Sequence, residues 1–187
     1  MSAPDIPAPH LADDGRVRVR PYRIEDVEPL FEAIMVSKNE LMRWLPWCHP
    51  TYEIAETRTW VESRAEAWET GAEYGFVVEE VSTGRLLGGN GIHGAGALRP
   101  NPALGYWMRS DAAGQGLTTA ASTLVARFGF EVLGLRRLEI LAMPKNQASR
   151  RVAEKLGATF EGILRSRLDF RGEPRDAACY SLLPGEL

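Results

Sequence analysis

Residues 103–128 read ALGYWMRSDAAGQGLTTAASTLVARF, and their hydrophobic pattern changes at two glycines, Gly114 and Gly116. Before the glycines, residues 103–108 are apolar or aromatic, which predicts a buried strand. After them, apolar residues recur at helical spacing as far as Phe128, which predicts an amphipathic helix. A helix that starts after a glycine turn presents free backbone N–H groups, and these attract an anion. The stretch therefore predicts a phosphate-binding turn between a strand and a helix.

Two common phosphate-binding motifs do not fit this turn. A dinucleotide fold needs three spaced glycines directly after its first strand and an acidic residue about twenty positions later. Here Gly114 and Gly116 follow several predicted strands, and the third glycine is missing. A Walker-type loop needs Gly-Lys-Ser or Gly-Lys-Thr, which the chain lacks. A nucleotide-binding domain is therefore a weak alternative, which tight binding of ATP without binding of coenzyme A would favour.

The composition is that of an ordinary globular protein with one domain. The chain has 187 residues, of which 44% are hydrophobic and 25% are charged. The formal net charge is −3, so a strongly basic surface for nucleic acid is not indicated. No apolar run is long enough to span a bilayer, and the first residues lack the pattern of a signal peptide. We therefore expect neither a membrane nor a nucleic-acid partner.

The two cysteines, Cys48 and Cys179, form no metal-type cluster with the three histidines. We expect no metal site, and we expect reduced thiols in a cytoplasmic setting. Cys179 can in principle act as a covalent relay, but its sequence neighbours include no obvious base that would activate the thiol.

The order of the predicted elements indicates a single α/β domain. Residues 1–15 contain three prolines with small and acidic residues, so we expect a flexible tail there and the domain proper over residues 16–187. The predicted strands are residues 16–20, 73–81, 85–93, 103–108, 137–143, 158–170 and 176–183, and the predicted helices are 24–35, 53–70, 117–128 and 146–156. This order predicts a mixed sheet of about seven strands flanked by about four helices.

Several motifs occur together in this chain. The strand, glycine turn and helix at residues 103–128 are followed by a further strand and by Asn146-x-x-Ser149. The other motifs are Trp44-Leu45-Pro46-Trp47, Gly105-Tyr106-Trp107, Glu154-Lys155-Leu156-Gly157-Ala158 and Gly172-x-x-x-Asp176-x-x-x-Tyr180. Over roughly residues 15–185 the combination resembles the GNAT superfamily of acetyl-CoA-dependent N-acetyltransferases. It looks most like the branch of the ribosomal-protein N-terminal alanine and serine acetyltransferases. The resemblance implies a mostly antiparallel, twisted sheet that is splayed at the cofactor site.

The resemblance also implies where acetyl-CoA binds. The pantetheine arm would lie where the sheet splays after Trp107 and Met108, and an N–H near Met108 would stabilise the reacting carbonyl oxygen. The pyrophosphate would lie on backbone N–H groups from Gly114 to Thr119. The implied cofactor-binding residues are Trp107, Met108, Gly114, Gln115, Gly116, Leu117, Thr118, Thr119 and Asn146. For Trp107, simple packing in the core is the favoured interpretation, and Asn146 can also be the N-cap of the next helix.

The chain departs from the family pattern at the loop and at the proton acceptor. The family loop is Gln/Arg-x-x-Gly-x-Gly/Ala; aligned on Gly116, its first position is Ala113 and its last is Thr118. Because backbone N–H groups would bind the phosphate, loss of the first side chain need not abolish binding. In the serine-acetylating relative, a glutamate near the end of the penultimate strand is implicated as the base, and Leu168 aligns there. The identity of the base is therefore not carried over.

Several residues are candidates for proton transfer. Ser149 matches the branch's serine that is thought to protonate the departing thiolate, although serine is also an ordinary residue at a helix start. Ser149, Asp169 and Asp176 are the predicted catalytic residues. Candidates to accept the proton of the amine are Asp169, Asp176, Glu139 and His93. For Asp176 a structural role in the final hairpin is favoured, because several arginines lie nearby in the sequence.

The leading prediction is an enzyme that moves acetyl directly from coenzyme A to a primary amine, with a protein N-terminal α-amino group as the preferred acceptor. A small-molecule amine, such as an aminoglycoside or a polyamine, is the close alternative. A non-catalytic acyl-CoA-binding module is a third hypothesis, motivated by the ambiguous base. Pairing through an edge strand or through the segment around Trp44 and Trp47 would give a homodimer. For that segment, packing in the core is the favoured interpretation, and lining of the acceptor site is a further alternative.

Overall fold

A sheet of eight strands forms the centre of this computed structural model, which describes residues 12–95 and 101–187. The strands are β1 (Ala12–Asp13), β2 (Val17–Pro21), β3 (Glu73–Glu80), β4 (Leu86–His93), β5 (Ala103–Met108), β6 (Leu138–Ala142), β7 (Thr159–Phe170) and β8 (Glu173–Leu182). They lie in the order β1-β2-β3-β4-β5-β6-β8-β7, and all neighbours are antiparallel except β5 and β6. The predicted α/β fold is confirmed, with one strand more than the sequence indicates.

The additional strand is β1, which lies inside the segment predicted to be a flexible tail. Ala12 pairs with Val19, and Asp13 pairs with Arg18. β2 would otherwise end the sheet with a row of unpaired backbone groups, and β1 pairs with part of that edge. Residues 1–11, which form most of the predicted tail, lie outside the described residues.

The helices are α1 (Val27–Trp44), α2 (Ile54–Thr70), α3 (Leu117–Arg127) and α4 (Gln147–Lys155). α2 has the predicted bounds because Glu53 starts it in a capping box and Gly71 ends it at a φ of 69°. α1 runs past its predicted end and stops before Leu45, which precedes Pro46 and is therefore held in an extended conformation. Within the described parts of the chain, none of these helices has the length and apolar character that crossing a bilayer requires.

Helices α1 and α2 pack on one face of the sheet, and α3 and α4 pack on the other. On the first face, Val27 and Leu30 of α1 pack with Val61 of α2 and Val77 of β3. Buried residues on the second face include Ala121, Val125, Ala153 and Leu156. Each buried Val or Leu contributes roughly 1.5–3 kcal/mol. The central strands are covered on both faces, which is why β3 is buried along most of its length.

The glycines of β4 permit close approach by both neighbouring strands. A Cβ at Gly88 would clash with the backbone carbonyl of Trp107, and one at Gly91 would lie 3.0 Å from the carbonyl oxygen of Tyr74. The register between β3 and β4 also shifts between Val78 and Glu79. The glycine pattern predicted a bulge or a close approach in this strand, and the structure contains both.

A two-residue turn, Arg171-Gly172, joins β7 to β8. The φ angles of these residues are 57° and 79°, which is the turn geometry that fits the twist of an antiparallel pair. The predicted turn at residues 171–174 is therefore too long, because Pro174 belongs to β8. Since β6 pairs with β8 only from Ala178 onward, Pro174 leaves no bond missing on that side.

Candidate active site

Strands β5 and β6 separate almost as soon as they meet. Their register holds one pair, Ala103 with Glu139, and the Glu139 N–H donates to the carbonyl of Pro102 at 2.9 Å. β5 then continues to Met108 without pairing to β6. The sheet therefore opens into a gap beside β5, and this gap begins earlier than the predicted splay after Met108.

Backbone groups of β5 point alternately towards β4 and towards the gap. The Arg109 N–H donates to the carbonyl of Leu87 at 2.7 Å, so the odd-numbered residues of β5 bond to β4. The N–H groups of Tyr106 and Met108 therefore point into the gap. Trp107 is oriented the other way: its backbone faces β4, and its side chain packs on the face of α1 and α2.

The turn before α3 leaves its backbone open. Gly114 and Gly116 have φ angles of 79° and 78°, which glycine adopts at little cost and other residues rarely adopt. Gly116 is the N-cap and brings no side chain to bond the first N–H groups of the helix. A Cβ added at either glycine would meet no heavy atom within 4 Å. The N–H groups of the first turn, from Leu117 to Thr119, are therefore accessible to an anion.

A surface groove of about 640 Å³ lies beside this turn. It is lined by Gly116 and Thr119 together with three basic side chains, Arg16, Arg127 and Lys155. Two aspartates near β1 also line it, so its charge is mixed. Cationic side chains beside a helix N-terminus suit a ligand that carries more than one phosphate.

The start of α4 is fixed against β5. The Asn146 side chain accepts the N–H of Ser149 at 3.1 Å and so caps the helix. The Tyr106 hydroxyl donates to the carbonyl oxygen of Ser149 at 2.9 Å, and the Ser149 hydroxyl lies 3.3 Å from the Tyr106 oxygen. Burial raises the pKa of Tyr106, so its hydroxyl stays protonated at neutral pH. Ser149 is thereby held beside the strand whose N–H groups point into the gap.

A cavity of about 420 Å³ lies on the face covered by α1 and α2 and reaches β5. The aromatic residues of its lining are Tyr22, Trp47, Tyr52, Trp60, Tyr106 and Trp107, of which Tyr106 directs its hydroxyl to α4 on the other face. Four strand glycines line it as well: Gly75, Gly89, Gly91 and Gly105. Ligand sites for small molecules are commonly about 300–1,000 Å³ in volume and mainly apolar. We call this space the acceptor cavity, because it approaches the gap from the opposite face to α4.

A buried ion pair fixes the bend that brings Tyr22 into the acceptor cavity. Arg20 donates to both oxygens of Asp26, at 2.7 and 2.8 Å, and it also pairs with Glu79. Asp26 additionally accepts the N–H of Arg23 at 2.7 Å. Arg20 is 8% exposed and Asp26 is 4% exposed, so both charges depend on each other for solvation.

Asn90 of β4, whose side chain points to α3, carries an unpaired polar atom. The Asn90 side chain donates from Nδ2 to the Ser122 hydroxyl at 2.8 Å, but its Oδ1 has no hydrogen-bond partner among the described residues. Asn90 is only 5% exposed. Buried oxygens are seldom left without a partner, so this atom indicates that a water or a ligand completes the site.

Three charged or titratable side chains meet at one end of the acceptor cavity. Nδ1 of His93 lies 3.2 Å from one oxygen of Glu73, and the other oxygen is ion paired with Arg64 at 2.7 Å. Burial alone would raise the pKa of Glu73, but the hydrogen bond and charge of His93, together with Arg64, lower it to about 2. Nε2 of His93 lies 2.7 Å from where a Cβ of Gly105 would be. This cluster is the most strongly polar part of the cavity wall.

The two predicted catalytic aspartates lie outside the lining of the acceptor cavity. Asp169 accepts the N–H of Gly172 at 2.9 Å in the β7–β8 turn. Asp176 accepts the N–H of Ser166 at 3.0 Å, where Ser166 has a φ of 52°. Both aspartates are exposed. These bonds give each a structural place in the hairpin, and their catalytic role stays a prediction.

Neither Glu139 nor Cys179 lines the acceptor cavity. Glu139 is ion paired with Arg137 at 3.2 Å and lies 3.9 Å from Arg167. Burial raises the pKa of the Cys179 thiol, so the nucleophilic thiolate is disfavoured at neutral pH. The described residues contain no group of three or more His, Cys, Asp or Glu side chains that could hold a metal ion.

The tip of the β7–β8 hairpin contacts the loop that follows α1. The Arg171 guanidinium donates to the backbone carbonyls of Met42 and Cys48 at 3.0 and 2.5 Å, and to that of Pro46 at 3.5 Å. The same loop carries Trp47, which lines the acceptor cavity. The hairpin therefore supports one wall of the cavity from outside.

Most of the acceptor-cavity lining is not predictable from the sequence. Tyr22 and Glu73 belong to no motif, whereas Tyr106 and Trp107 belong to the motif Gly105-Tyr106-Trp107. The available signal is the set of glycines in the predicted strands, which indicates a close approach by something else. The glycines indicate where on the sheet a ligand or another segment approaches, but they do not identify the side chains that line the cavity.

The family model described as an acetyltransferase (GNAT) domain matches residues 16–159. The chain belongs to the GNAT acetyltransferase family. The protein YdaF of Bacillus subtilis (strain 168), provisionally named a ribosomal N-acetyltransferase, is 30% identical over 91% of this chain and 92% of its own length. A structure from Vibrio cholerae, provisionally described as a ribosomal-protein-serine acetyltransferase, has a TM-score of 0.82 at 29% identity and covers 98% of this chain and 100% of that one. RimJ of Mycobacterium smegmatis, solved with CoA-disulfide, has a TM-score of 0.80 at 26% identity and covers 96% and 88%.

Membership of the GNAT family confirms the resemblance stated from the motifs, including its ribosomal-protein acetyltransferase branch. The protein is an acetyltransferase, and the co-substrate of GNAT enzymes is acetyl-CoA. The gap beside β5 and the turn before α3 are the places where the motifs predict that this co-substrate binds.

Proposed function

We propose that this GNAT enzyme transfers acetyl from acetyl-CoA to the N-terminal α-amino group of a protein. One observation carries the proposal: β5 borders both the gap and the acceptor cavity. The turn with the accessible N–H groups before α3 follows β5 directly in the chain. The names of YdaF and of the Vibrio cholerae protein support a ribosomal protein as the class of acceptor.

The residues beside the gap fit acetyl-CoA. The N–H groups from Leu117 to Thr119 would hold the pyrophosphate, and the Met108 N–H would bond the pantetheine arm. When bound, acetyl-CoA supplies an acetyl group activated as a thioester. The Tyr106 N–H lies nearer the closed end of the gap, where it would donate to the carbonyl oxygen as negative charge develops there. The orphaned Oδ1 of Asn90 is consistent with a ligand at this depth.

Ser149 is the proposed donor of a proton to the departing thiolate. Its backbone N–H is held by Asn146, and its hydroxyl is within hydrogen-bond reach of the Tyr106 oxygen. A hydroxyl fixed at the edge of the gap can deliver its proton without a large movement. Tyr106 supports this role by its bond to the Ser149 carbonyl oxygen.

The acceptor cavity suits an amine. The carboxylate of Glu56 attracts an ammonium group, and the tyrosine and tryptophan rings of the cavity present faces that stabilise a cation. Hydrogen bonds from Glu53 and His49 hold the pKa of Glu56 below its usual value, so it is ionised at neutral pH. A protein α-amino group titrates at about 7.7–8.0, so only a loosely held proton must leave before attack.

A small-molecule amine is the second candidate acceptor. The observation that favours it is the modest size of the aromatic cavity, about 420 Å³, which holds a compact ligand as readily as the first residues of a peptide. The two acceptors share the same chemistry and differ in what lies beyond the amine.

An acceptor screen tests the proposed function. The protein is mixed with acetyl-CoA and, separately, with Ser- and Ala-initiated hexapeptides, a polyamine and an aminoglycoside, and free thiol and acceptor mass are followed. The same hexapeptides with formylated N-termini are the matched control. We expect thiol release with a free peptide N-terminus and none with the blocked one. Acetylation of only the polyamine or the aminoglycoside would support the second candidate. Saturable binding of acetyl-CoA with no acetylated amine would indicate the non-catalytic module.

A further inference from the structure

We propose that His93 accepts the proton of the acceptor amine, and that Glu73 and Arg64 position it for this step. The inference depends on the proposed acetyl transfer, because it names the base of that reaction. Three independent features carry it: the place of the imidazole, the fixed orientation of its ring, and the other engagements of the alternative bases.

The His93 ring lies over Gly105 of β5, in the acceptor cavity, because Gly105 has no side chain. In the β4–β5 register, His93 pairs with Ala103, and Gly105 lies two residues further along β5. Nε2 nevertheless lies only 2.7 Å from where a Cβ of Gly105 would be. The ring therefore extends along β5 towards Tyr106, whose N–H points into the gap. The acceptor amine enters from this same face, through the cavity that His93 lines.

Glu73 determines which ring nitrogen is free. Its carboxylate is ionised and lies 3.2 Å from Nδ1 of His93, so it favours the tautomer that carries the proton on Nδ1. Nε2 then carries the lone pair, and no described residue bonds to it. Arg64 holds the second oxygen of Glu73 at 2.7 Å, and its side chain is 11% exposed. A carboxylate that fixes the tautomer and supports the imidazolium is a familiar arrangement in acyl transfer.

The other candidate bases are engaged elsewhere. Asp169 and Asp176 bond backbone N–H groups in the hairpin, and Glu139 is paired with Arg137. Besides His93, the titratable groups that line the acceptor cavity are Tyr22, Tyr52, Glu56, Glu73 and Tyr106. The pKa values of the two glutamates are lowered and those of the three tyrosines are raised by their surroundings. Imidazole is the side chain that ordinarily changes charge between about pH 5 and pH 8.

The proton transfer balances without any further reagent. The amine nitrogen of the free base forms a bond to the acetyl carbon, and Nε2 of His93 takes one proton from that nitrogen. The carbon–sulfur bond breaks, its electron pair leaves with sulfur, and the Ser149 hydroxyl protonates the thiolate and is reprotonated from water. The imidazolium returns its proton to solvent, since 48% of the His93 side chain is exposed. The products are the acetylated amine and free coenzyme A.

The decisive experiment compares His93→Ala, Glu73→Gln and the wild type over about pH 5.5 to 9, using the Ser-initiated hexapeptide. We expect His93→Ala to lower kcat/KM by about 100-fold and to remove the decline that an ionising imidazole causes at low pH. Added imidazole should restore part of the kcat of His93→Ala. Glu73→Gln should lower kcat by about tenfold and leave KM within about twofold, because it misorients the base without removing it.

His49→Ala is the matched control. His49 also bonds a glutamate, Glu56 at 2.8 Å, and is about as exposed as His93, but its own side chain does not line the acceptor cavity. Because His49→Ala removes a bond to Glu56, we expect KM to rise by up to about threefold, while kcat stays within about twofold of wild type and the low-pH decline is retained. The Kd of acetyl-CoA, measured by calorimetry, should stay within about twofold in all variants, since none touches the turn before α3.

Nitrogen NMR of the free protein supplies a readout that does not need activity. In the wild type the His93 ring should be protonated on Nδ1, and Glu73→Gln should abolish that preference. Protonation on Nε2 in the wild type would overturn the proposal, whether or not His93→Ala folds. Retention of the low-pH decline by His93→Ala, or failure of imidazole to restore kcat, would overturn it while the acetyl transfer stands. Thiol release by the wild type from none of the amines would overturn both.

Discussion

The proposed co-substrate side and the proposed acceptor side of this site are built from different parts of the chain. The co-substrate side uses backbone N–H groups from one continuous stretch, residues 106–119, and the conformation of Gly114 and Gly116 exposes them. The acceptor side uses side chains that come from both sheet and helices, between Tyr22 and Trp107. A site that binds its ligand through backbone N–H groups tolerates changes of side chain. In a site that binds through side chains, each substitution can alter which ligand fits. The first can therefore be common to a family while the second determines specificity.

The largest expected effect concerns the side-chain anchors of the acceptor side. Asp26→Ala should lower the free energy of unfolding by about 3 kcal/mol, because it leaves the buried Arg20 charge with Glu79 as its remaining partner. Urea denaturation measures the loss. Glu28→Ala is the control, since Glu28 forms an exposed pair with Arg58 and should cost less than about 0.5 kcal/mol. Equal losses of unfolding free energy in the two variants would show that the buried Arg20–Asp26 pair stabilises the fold no more than an exposed pair does.

Ser149→Ala tests the point where the two sides meet. If Ser149 protonates the thiolate, kcat should fall by about 100-fold while the Kd of acetyl-CoA stays within about twofold. Steady-state kinetics with the hexapeptide and calorimetry with acetyl-CoA separate the two quantities. A variant with an unchanged kcat would reduce Ser149 to a residue of the helix start, as its bond to Asn146 also allows.

On the co-substrate side, the Kd of acetyl-CoA should depend on the backbone conformation of the turn and not on the Gln115 side chain. Gly116→Val should weaken acetyl-CoA binding by about tenfold, because a β-branched residue at a φ of 78° costs roughly 1–2 kcal/mol. Gln115→Ala is the matched control and should change Kd by less than about twofold, because Gln115 is exposed and would bind through its N–H. Calorimetry gives both constants. Similar losses in both variants would refute a backbone site.

The acceptor side should show the opposite behaviour. Trp60→Ala removes a ring that lies edge-on to Tyr22, with centroids 4.6 Å apart, and that lines the acceptor cavity. We expect the KM of the hexapeptide to rise about fivefold, or about 1 kcal/mol, with the Kd of acetyl-CoA unchanged. Trp44→Ala is the control, because Trp44 does not line the cavity. A rise in both constants would show that the two sides are not independent.

The smallest effect is expected at Asp176. Asp176→Ala removes one exposed hydrogen bond to Ser166, so the free energy of unfolding should fall by about 0.5 kcal/mol. With the base assigned to His93, kcat should stay within about twofold. Thermal unfolding and steady-state kinetics check the two values, and a 100-fold loss of kcat would instead restore Asp176 as a catalytic residue.

The same contrast explains what could be predicted from the sequence. The turn before α3 and the bounds of α2 follow from local signals, namely glycines at positive φ, a capping box and a glycine stop. The family motifs add the gap beside β5. The sequence places the start of β8 too late, because proline is usually a turn residue. Pro174 can belong to the strand because β6 pairs with β8 only from Ala178 onward, which only the structure shows.

The acceptor cavity could not be predicted for a different reason. Glu73 and His93 come from adjacent strands, but the space for the imidazole depends on Gly105, and the ion pair that fixes Glu73 comes from Arg64 on a helix. Neither the hydrophobic periodicity nor the secondary-structure propensity of any one segment predicts that the His93, Glu73 and Arg64 side chains lie together. Their proximity results from the strand register and helix packing, which only the folded chain establishes.

The contact between Arg171 and the loop after α1 links a distant surface turn to the position of a cavity wall. Arg171 bonds one carbonyl group near the end of α1, that of Met42, and two of the loop, those of Pro46 and Cys48, without lining the acceptor cavity. Substitutions at the hairpin tip would tilt the loop and shift Trp47 by a small amount. Substitutions in this exposed turn can thus change which amines the enzyme accepts and leave the proposed proton-transfer residues unchanged.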